Sequence, residues 1–577
     1  MPLLRMIELV PTANSSQSIA ARRLPTKAWG AMRLTQIGQW AIAILATVVI
    51  VGLHVQNLRH AGPLWRDEAQ TATLATLPSW TDIWSAMSKD SFPPLATLVV
   101  RSWGTAFGDD DPSLRQFGCV VGLSIVVAFW AGSLALYRAP PSIALALWGL
   151  SPLAIRYGDA VRPYGLGALA IVVAGALVGR WLLKPTWPRG LIACAGLVAS
   201  VQTVYSNAVL VGAIVLAAVV ASVVARRWMA AAMALVLGIV PALSLFPYLE
   251  PVRAAGEWSA LTLVDVDLGY ICDRFHDLLT QPTAAFIWIW GLSAVAAIGL
   301  GGWLAMRAAR GQPDPRDGAS NKTTTSGDRS SLAQTTYPLF TALMAVGGML
   351  LFLWRMHVPA MPWHFVPTLA LAAACLDAAL GTIGQLAAVR GGILALCLAL
   401  AMTTDLELLD TRTSNVDRIA DQLNQRAEPG DLIVVHPWYI DSTFHRYYHG
   451  AAHWTTLPPL ENTSLHRFDL LKQRMAEREP MAPLLAEMER ALRGGHRVWL
   501  VGKWTIVPPG SVAPQIAPAP HPETGWFARP YLATWALQAE AFLHTHRVSY
   551  SPVLLEGSEP ISQLEGFELW VAKGWKP

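Results

Sequence analysis

"IAILATVVIVGLHVQNLRHAGPLWRDEAQTATLA" (residues 42–75) is an apolar run followed, a few residues later, by an Arg and two acids, Arg66, Asp67 and Glu68. A membrane span needs about 20 mostly apolar residues, and the stretch 37–56 supplies them. Arg22, Arg23, Lys27 and Arg33 ahead of it give it the outline of a signal peptide. It lacks a clear small-residue cleavage site and many apolar runs follow, so it reads as a retained anchor.

The whole chain has the same character. Of its 577 residues 53% are hydrophobic and 14% charged, and the mean hydropathy is +0.38; soluble domains carry roughly 25% charged residues. This is the composition of an integral membrane protein. The net charge of +4 is small and its basic residues sit in short clusters, which argues against nucleic acid as a partner. The five cysteines show no CxxC spacing and no disulfide framework.

Further apolar windows lie near 116–136, 142–156, 164–183, 189–204, 207–225, 229–248, 284–306, 336–354, 362–380 and 388–405, making eleven candidate helices of which the third and fifth are short. Lys and Arg gather in the N-terminal tail, around Arg138, at 180–189, at 225–228 and from Arg307 to Arg329. These segments alternate with less basic ones, which predicts a cytoplasmic N-terminus. The odd count then places the C-terminal segment outside. The expected organisation is a cytoplasmic tail (1–35), a transmembrane domain (36–408) and an extracytoplasmic α/β domain (409–577). The transmembrane domain has a first external loop at 57–114 and a cytoplasmic linker at 307–335. The α/β domain rests on two strand-like runs, "DLIVVHPWY" (431–439) and "HRVWLVGKW" (496–504), flanking a helical pattern at 470–495. The expected location is the cytoplasmic (inner) membrane.

That alternation sends the polar residues to one side: the first loop, "RYGDAVRPY" (156–164), the loop 249–283, "RMHVPAMPWH" (355–364) and everything after about 406. The chain has no GxxxxGK[ST], no GxGxxG leading from strand to helix, no HExxH and no GxSxG, so nothing argues for a nucleotide-driven pump or a serine hydrolase. The external carboxylates are the sharpest signal. An Asp just beyond a span sits where the dielectric falls, which disfavours its charged form and raises its pKa toward that of a general base, while Arg66 pulls the other way. The same residues also read as solvated charges that simply end the span. Downstream, Asp90 and Pro93-Pro94 lead into an amphipathic segment expected along the membrane surface, with Trp103 at headgroup depth. A Gly-Asp turn and Arg115 follow.

Taken together, Asp67-Glu68, Asp90 with Pro93-Pro94, Gly108 and Arg115, and "RYGDAVRPYGL" (156–166) resemble the GT-C superfamily of membrane glycosyltransferases. The nearest likeness is the branch of the dolichyl-phosphate-mannose protein mannosyltransferases and the lipid A aminoarabinose transferases. It covers about residues 35 to 405. The resemblance implies a polytopic α-helical fold with an external active site, and inverting transfer of a sugar from a polyprenyl-phosphate donor to an extracytoplasmic cell-envelope acceptor. It implies Asp67 as the base and Glu68 as its orienting or acceptor-binding neighbour. Arg suits a phosphate because its planar fork makes two parallel charge-assisted bonds. Arg162, with Tyr164 and Arg156, is the first candidate for the donor phosphate; Arg355, His357 and His364 are the second. Asp90, Pro93, Pro94, Arg115 and Asp159 would support the loop or the acceptor. Bland alternatives are an Arg162–Asp159 pair and headgroup contacts by Arg355. A divalent metal is neither required nor excluded.

Other clusters read as structural. "VDVD" with Asp265 and Asp267 is formally a DxD, but lies where no nucleotide sugar is expected. "GDDDPS" (108–113) reads as a solvated turn. His436, His445 and His449 read as a packed domain edge. Trp65, Trp181, Trp187, Trp228, Trp258 and Trp363 fit the aromatic belt of any bilayer protein. Two other functions compete: a flippase or transporter for a lipid-linked sugar, which would place charges along the spans, where few occur, Asp377 being one, and a membrane-anchored envelope assembly module.

Overall fold

The computed structural model of the chain describes residues 26–90, 92–259, 261, 266–310, 325–357, 359–404, 406–504, 508 and 513–577. Among them, nine helices are long and apolar enough to cross a bilayer: Leu34–His60, Asp111–Leu136, Pro163–Leu183, Asn207–Val224, Trp228–Ala254, Ala285–Arg307, Leu332–Met356, Pro362–Gly381 and Gly384–Met402. A helix satisfies its own backbone polar groups, which lipid cannot do. The protein is therefore a multi-pass membrane protein.

The two short windows explain the difference from the expected eleven. Trp187–Val201 is an apolar helix of 15 residues. The 142–156 window is broken into a helical turn at Ser142–Ala144, a π-helical turn at Leu145–Gly149 and a short helix at Pro152–Gly158. Pro152 cannot continue the helix before it, and Ser151 starts the next one by accepting from Ala154 N. Nearly all of this segment is buried, with Trp148 inside the main core.

Helix Val366–Gly381 runs through the middle of the bundle, and its many alanines let neighbouring helices approach closely. Asp377 on it is paired: it takes Arg390 Nη2 at 3.1 Å and Ile143 N at 2.7 Å, together with the Tyr137 hydroxyl. Asp377 and Arg390, charges within the spans, are thus paired with each other. The tryptophans divide. Trp187 and Trp228 are exposed as a belt requires, whereas Trp65, Trp181 and Trp363 are buried and correct the belt expectation.

The C-terminal domain carries a five-stranded sheet of β1 (Leu432–His436), β2 (His453–Thr456), β3 (Arg497–Gly502), β4 (Arg547–Pro552) and β5 (Glu568–Trp575), in the order β2-β1-β3-β5-β4. β1 pairs in parallel with β2 and β3, and β5 runs antiparallel to β3 and β4. Alternate residues face opposite sides of a strand. Leu432, Val434, Val498 and Leu500 accordingly enter one core, and Ile433, Val435, Trp499 and Val501 another. The helical stretch between the two expected strands is split in two, Phe468–Met475 and Ala482–Arg493.

This domain rests on the bundle end that carries Asp67. Arg446 Nε donates to Asp111 Oδ1 at 2.8 Å, Leu64 N donates to Tyr447 Oη at 2.7 Å, and Thr413 Oγ1 donates to Ala61 O at 2.9 Å. The triple-Asp turn is thus more than solvated: Asp110 caps the second span through Ser113 N, and Asp111 docks the domain.

Candidate active site

The site begins with a short helix, Arg66–Thr76. Two acids in its first turn suit the positive end of the helix dipole. They then diverge. Glu68 is 1% exposed; its Oε1 accepts from Arg115 Nη1 at 2.7 Å and Val161 N at 2.9 Å, and its Oε2 accepts from Trp65 N at 3.2 Å. Arg115 in turn donates to the carbonyl of Gly62 at 3.0 Å and to that of Pro63. Glu68 and Arg115 thus join the first loop, the second span and the 156–164 turn. The Asp67 side chain, 21% exposed, keeps an open face, with Arg66 Nε at 3.5 Å from its Oδ1.

The turn is seated by glycines. A Cβ at Gly118 would lie 1.8 Å from Asp159 O, and one at Gly122 would lie 1.9 Å from Asp159 Oδ1. Only glycine admits the turn this close to the second span. Asp159 takes His54 Nδ1 at 2.8 Å and Asn57 Nδ2 at 3.2 Å, so the pairing with Arg162 considered from the sequence does not form. Arg156 is committed to the carbonyls of Leu408 and Thr411, each at 2.8 Å, and ties the turn to the chain leaving the last span.

Arg162 reaches Asp67. Its Nη1 donates to Asp67 O at 2.9 Å and to Thr71 Oγ1 at 2.8 Å, and its guanidinium lies 4.7 Å from the Phe92 ring centroid. Its Nε is buried and has no hydrogen-bond partner among the described residues. Tyr164 packs edge-on against Phe92 and against His364, with ring centroids 5.3 and 5.8 Å apart. Trp65, Trp363 and Tyr157 close the wall beside them. The charge of Asp90 is felt by Arg162 and Tyr164. Pro94 opens helix Pro94–Phe107, with Pro93 extended before it. Trp103 on that helix turns inward onto Phe117 and donates to Ser113, away from the headgroup position expected for it.

Of the second cation group only His364 belongs to the cluster. Arg355 and His357 are exposed at a helix end and make no ion pair or side-chain hydrogen bond among the described residues. Asp267 caps helix Leu268–Leu279 through Tyr270 N; Asp265 lies outside the described residues. His436 packs on Trp504 and His445 on Trp454. No group of three His, Cys, Asp or Glu placed to hold a metal ion occurs among the described residues.

The electrostatics correct one expectation. Burial pushes the Asp67 carboxyl up, but Arg162, Arg66 and His466 outweigh it and hold the group below the ordinary carboxylate value. Asp67 is therefore ionised at neutral pH, an open carboxylate among cations.

Three residues at the site escaped the sequence reading, all from the C-terminal domain. The Tyr439 ring faces the Arg66 guanidinium at 4.5 Å. Glu565 Oε1 accepts from Arg66 N at 2.8 Å, and burial pushes its carboxyl up to about 7 despite Arg66. His466 takes its backbone N–H to Gln70 Oε1 at 3.0 Å. No spacing in the chain marks them.

No model of a known protein family matches the chain, and no curated protein matches it by sequence. Among solved structures, it is similar to the oligosaccharyltransferase of Archaeoglobus fulgidus in complex with Zn and sulfate, at 13% identity over 80% of this chain and 67% of that one, with a TM-score of 0.43. It is also similar to ArnT from Cupriavidus metallidurans bound to undecaprenyl phosphate, at 14% identity over 79% of this chain and 92% of that one, with a TM-score of 0.38. Likenesses at this level carry no part of the functional reading, which stands on the residues.

Proposed function

We propose that the protein is an inverting membrane glycosyltransferase of the GT-C kind, moving a sugar from a polyprenyl-phosphate donor to a cell-envelope acceptor at the extracytoplasmic face. One observation carries the reading: an ionised, partly open Asp67 stands beside Arg162, whose buried Nε–H has no partner among the described residues. An unpaired buried donor costs about 1–3 kcal/mol, and a phosphate oxygen would satisfy it. A lipid-borne donor explains why such a site sits at the end of a helical bundle, where a bilayer-held phosphate and a water-soluble acceptor meet.

The chemistry needs few groups. An acceptor hydroxyl hydrogen-bonds to Asp67; its oxygen forms the new bond to the anomeric carbon as the bond from that carbon to the phosphate oxygen breaks, and its proton passes to Asp67. The phosphate leaves with the electron pair, its charge met by Arg162. Because Asp67 is a weak base, the proton transfers late, once the attacking oxygen has become acidic. Glu68 holds the helix in place and does not meet substrate.

Equilibrium binding of radiolabelled polyprenyl phosphate in nanodiscs tests the donor half. Arg162→Ala is expected to weaken binding at least tenfold, and Arg162→Lys to restore part of it. Unchanged binding in Arg162→Ala removes Arg162 as the phosphate ligand.

A further inference from the structure

The C-terminal domain supplies one wall of the Asp67 site, and His466 is its most informative residue. Its imidazole is held between Trp438 and Phe468, both edge-on, and is 7% exposed. Nε2 lies 2.9 Å from Tyr439 O and 3.3 Å from Ser442 Oγ, and the Ser442 hydroxyl donates to Arg66 O at 3.2 Å. A carbonyl only accepts, so Nε2 carries the proton and Nδ1 holds a lone pair. Nδ1 has no hydrogen-bond partner among the described residues. Burial holds the imidazole down to about 4 against the pull of Asp67, with Arg66 and Arg162 adding to the burial, so the ring stays neutral and the lone pair stays available.

Around this ring the domain side of the site presents acceptors. Asp67 is ionised, and the buried Glu565 carboxyl, pushed up to about 7, accepts in its ionised form, with Oε2 unpartnered among the described residues. Arg66 has its guanidinium between the Tyr439 and Trp65 rings, at 4.5 and 5.4 Å. A group entering here must bring several donors. A phosphate brings oxygen acceptors and negative charge; a saccharide brings adjacent hydroxyls.

We propose that His466 is an acceptor-binding residue, and that the acceptor is a polyhydroxyl compound, a glycan or glycolipid headgroup, whose neighbouring hydroxyl donates to Nδ1 while the reacting one donates to Asp67. This rests on the glycosyltransferase reading above and names its acceptor class. No proton moves to His466: the proton released in the displacement goes to Asp67.

The test is sugar transfer by the full chain in nanodiscs, from a panel of radiolabelled polyprenyl-phosphate sugars to methyl glycosides or to Ser/Thr peptides. Methyl glycosides are expected to accept. His466→Phe is expected to raise the KM for the glycoside at least tenfold, leaving kcat and the donor KM within threefold, and His466→Gln, which keeps an acceptor oxygen, to recover most of it. On the native chain, a saturating glycoside should protect His466 from diethyl pyrocarbonate severalfold, a readout that needs no variant to fold. Native transfer with an unchanged glycoside KM in His466→Phe and no protection overturns the His466 assignment alone. Transfer only to peptides overturns the acceptor class. No transfer from any donor by a native chain that binds polyprenyl phosphate overturns the glycosyltransferase reading itself.

Discussion

Asp67 and Glu68 are neighbours with opposite work. Glu68, 1% exposed and paired with Arg115 at 2.7 Å, is a buried ion; removing one partner of such a pair typically costs 3–5 kcal/mol because the other charge is left uncompensated. Glu68→Gln is therefore expected to lower the thermal midpoint of the detergent-solubilised protein by several degrees. Asp67→Asn should lower that midpoint less, since the Asp67 side chain is 21% exposed and its pair with Arg66 is a looser 3.5 Å. Equal loss of stability in both would contradict this division. The pH profile separates them further. With its carboxyl held down by Arg162, Arg66 and His466 against burial, Asp67 loses its proton below the ordinary value of about 3.9, so the acid limb it sets in kcat/KM should lie below pH 4. A limb near neutrality that survives in Glu565→Gln would assign the base to another group. At this scale Asp67 and Arg162 were legible because charges just outside apolar runs stand out. His466 and Glu565 were not: Glu565 meets Arg66 across 499 residues, and a lone His ahead of an amphipathic helix has no signature.

Among the elements, the decisive one is the 156–164 turn. Its residues and its place at the loop end were readable from hydropathy and charge alternation, but its seat was not. Gly118 and Gly122 lie one turn apart on the second span, and a Cβ on them would lie only 1.8 Å from the Asp159 backbone oxygen and 1.9 Å from its carboxylate. Gly118→Ala, whose Cβ would meet the Asp159 backbone, is expected to push the turn off the span, move Arg162 away from Asp67 O and weaken polyprenyl-phosphate binding at least tenfold. Gly212→Ala, where a Cβ meets nothing within 4 Å, should change nothing. Equal binding in both variants would show that the turn does not position Arg162. The 142–156 window reads as a span for a related reason: an apolar run records burial, and burial inside a helical bundle looks the same as burial in lipid.

For the molecule as a whole, the C-terminal domain matters most. Two of its five strands, β1 and β3, were legible as short apolar runs, while its role was not, because its contacts with the first loop are all between residues remote in sequence. Glu565 links that docking to pH. Its carboxyl, pushed up to about 7 by burial from an ordinary 4.5, binds a proton more tightly in the docked state. That contribution is complete below pH 4.5 and lost as pH rises to 7, on the order of 3 kcal/mol in all. Hydrogen exchange across Arg66–Thr76 should accordingly speed up between pH 4.5 and 7 beyond the intrinsic rate. The extra acceleration should vanish in Glu565→Gln, and its persistence there would rule Glu565 out.

Single-turnover transfer in nanodiscs from radiolabelled polyprenyl-phosphate sugars, comparing the native chain with Asp67→Asn, tests the role of Asp67 as the base most directly. Transfer by the native protein is expected, with a fall of about 10²–10⁴ in the rate of the chemical step in a folded Asp67→Asn variant that still binds polyprenyl phosphate. Transfer by Asp67→Asn at the native rate would contradict that role.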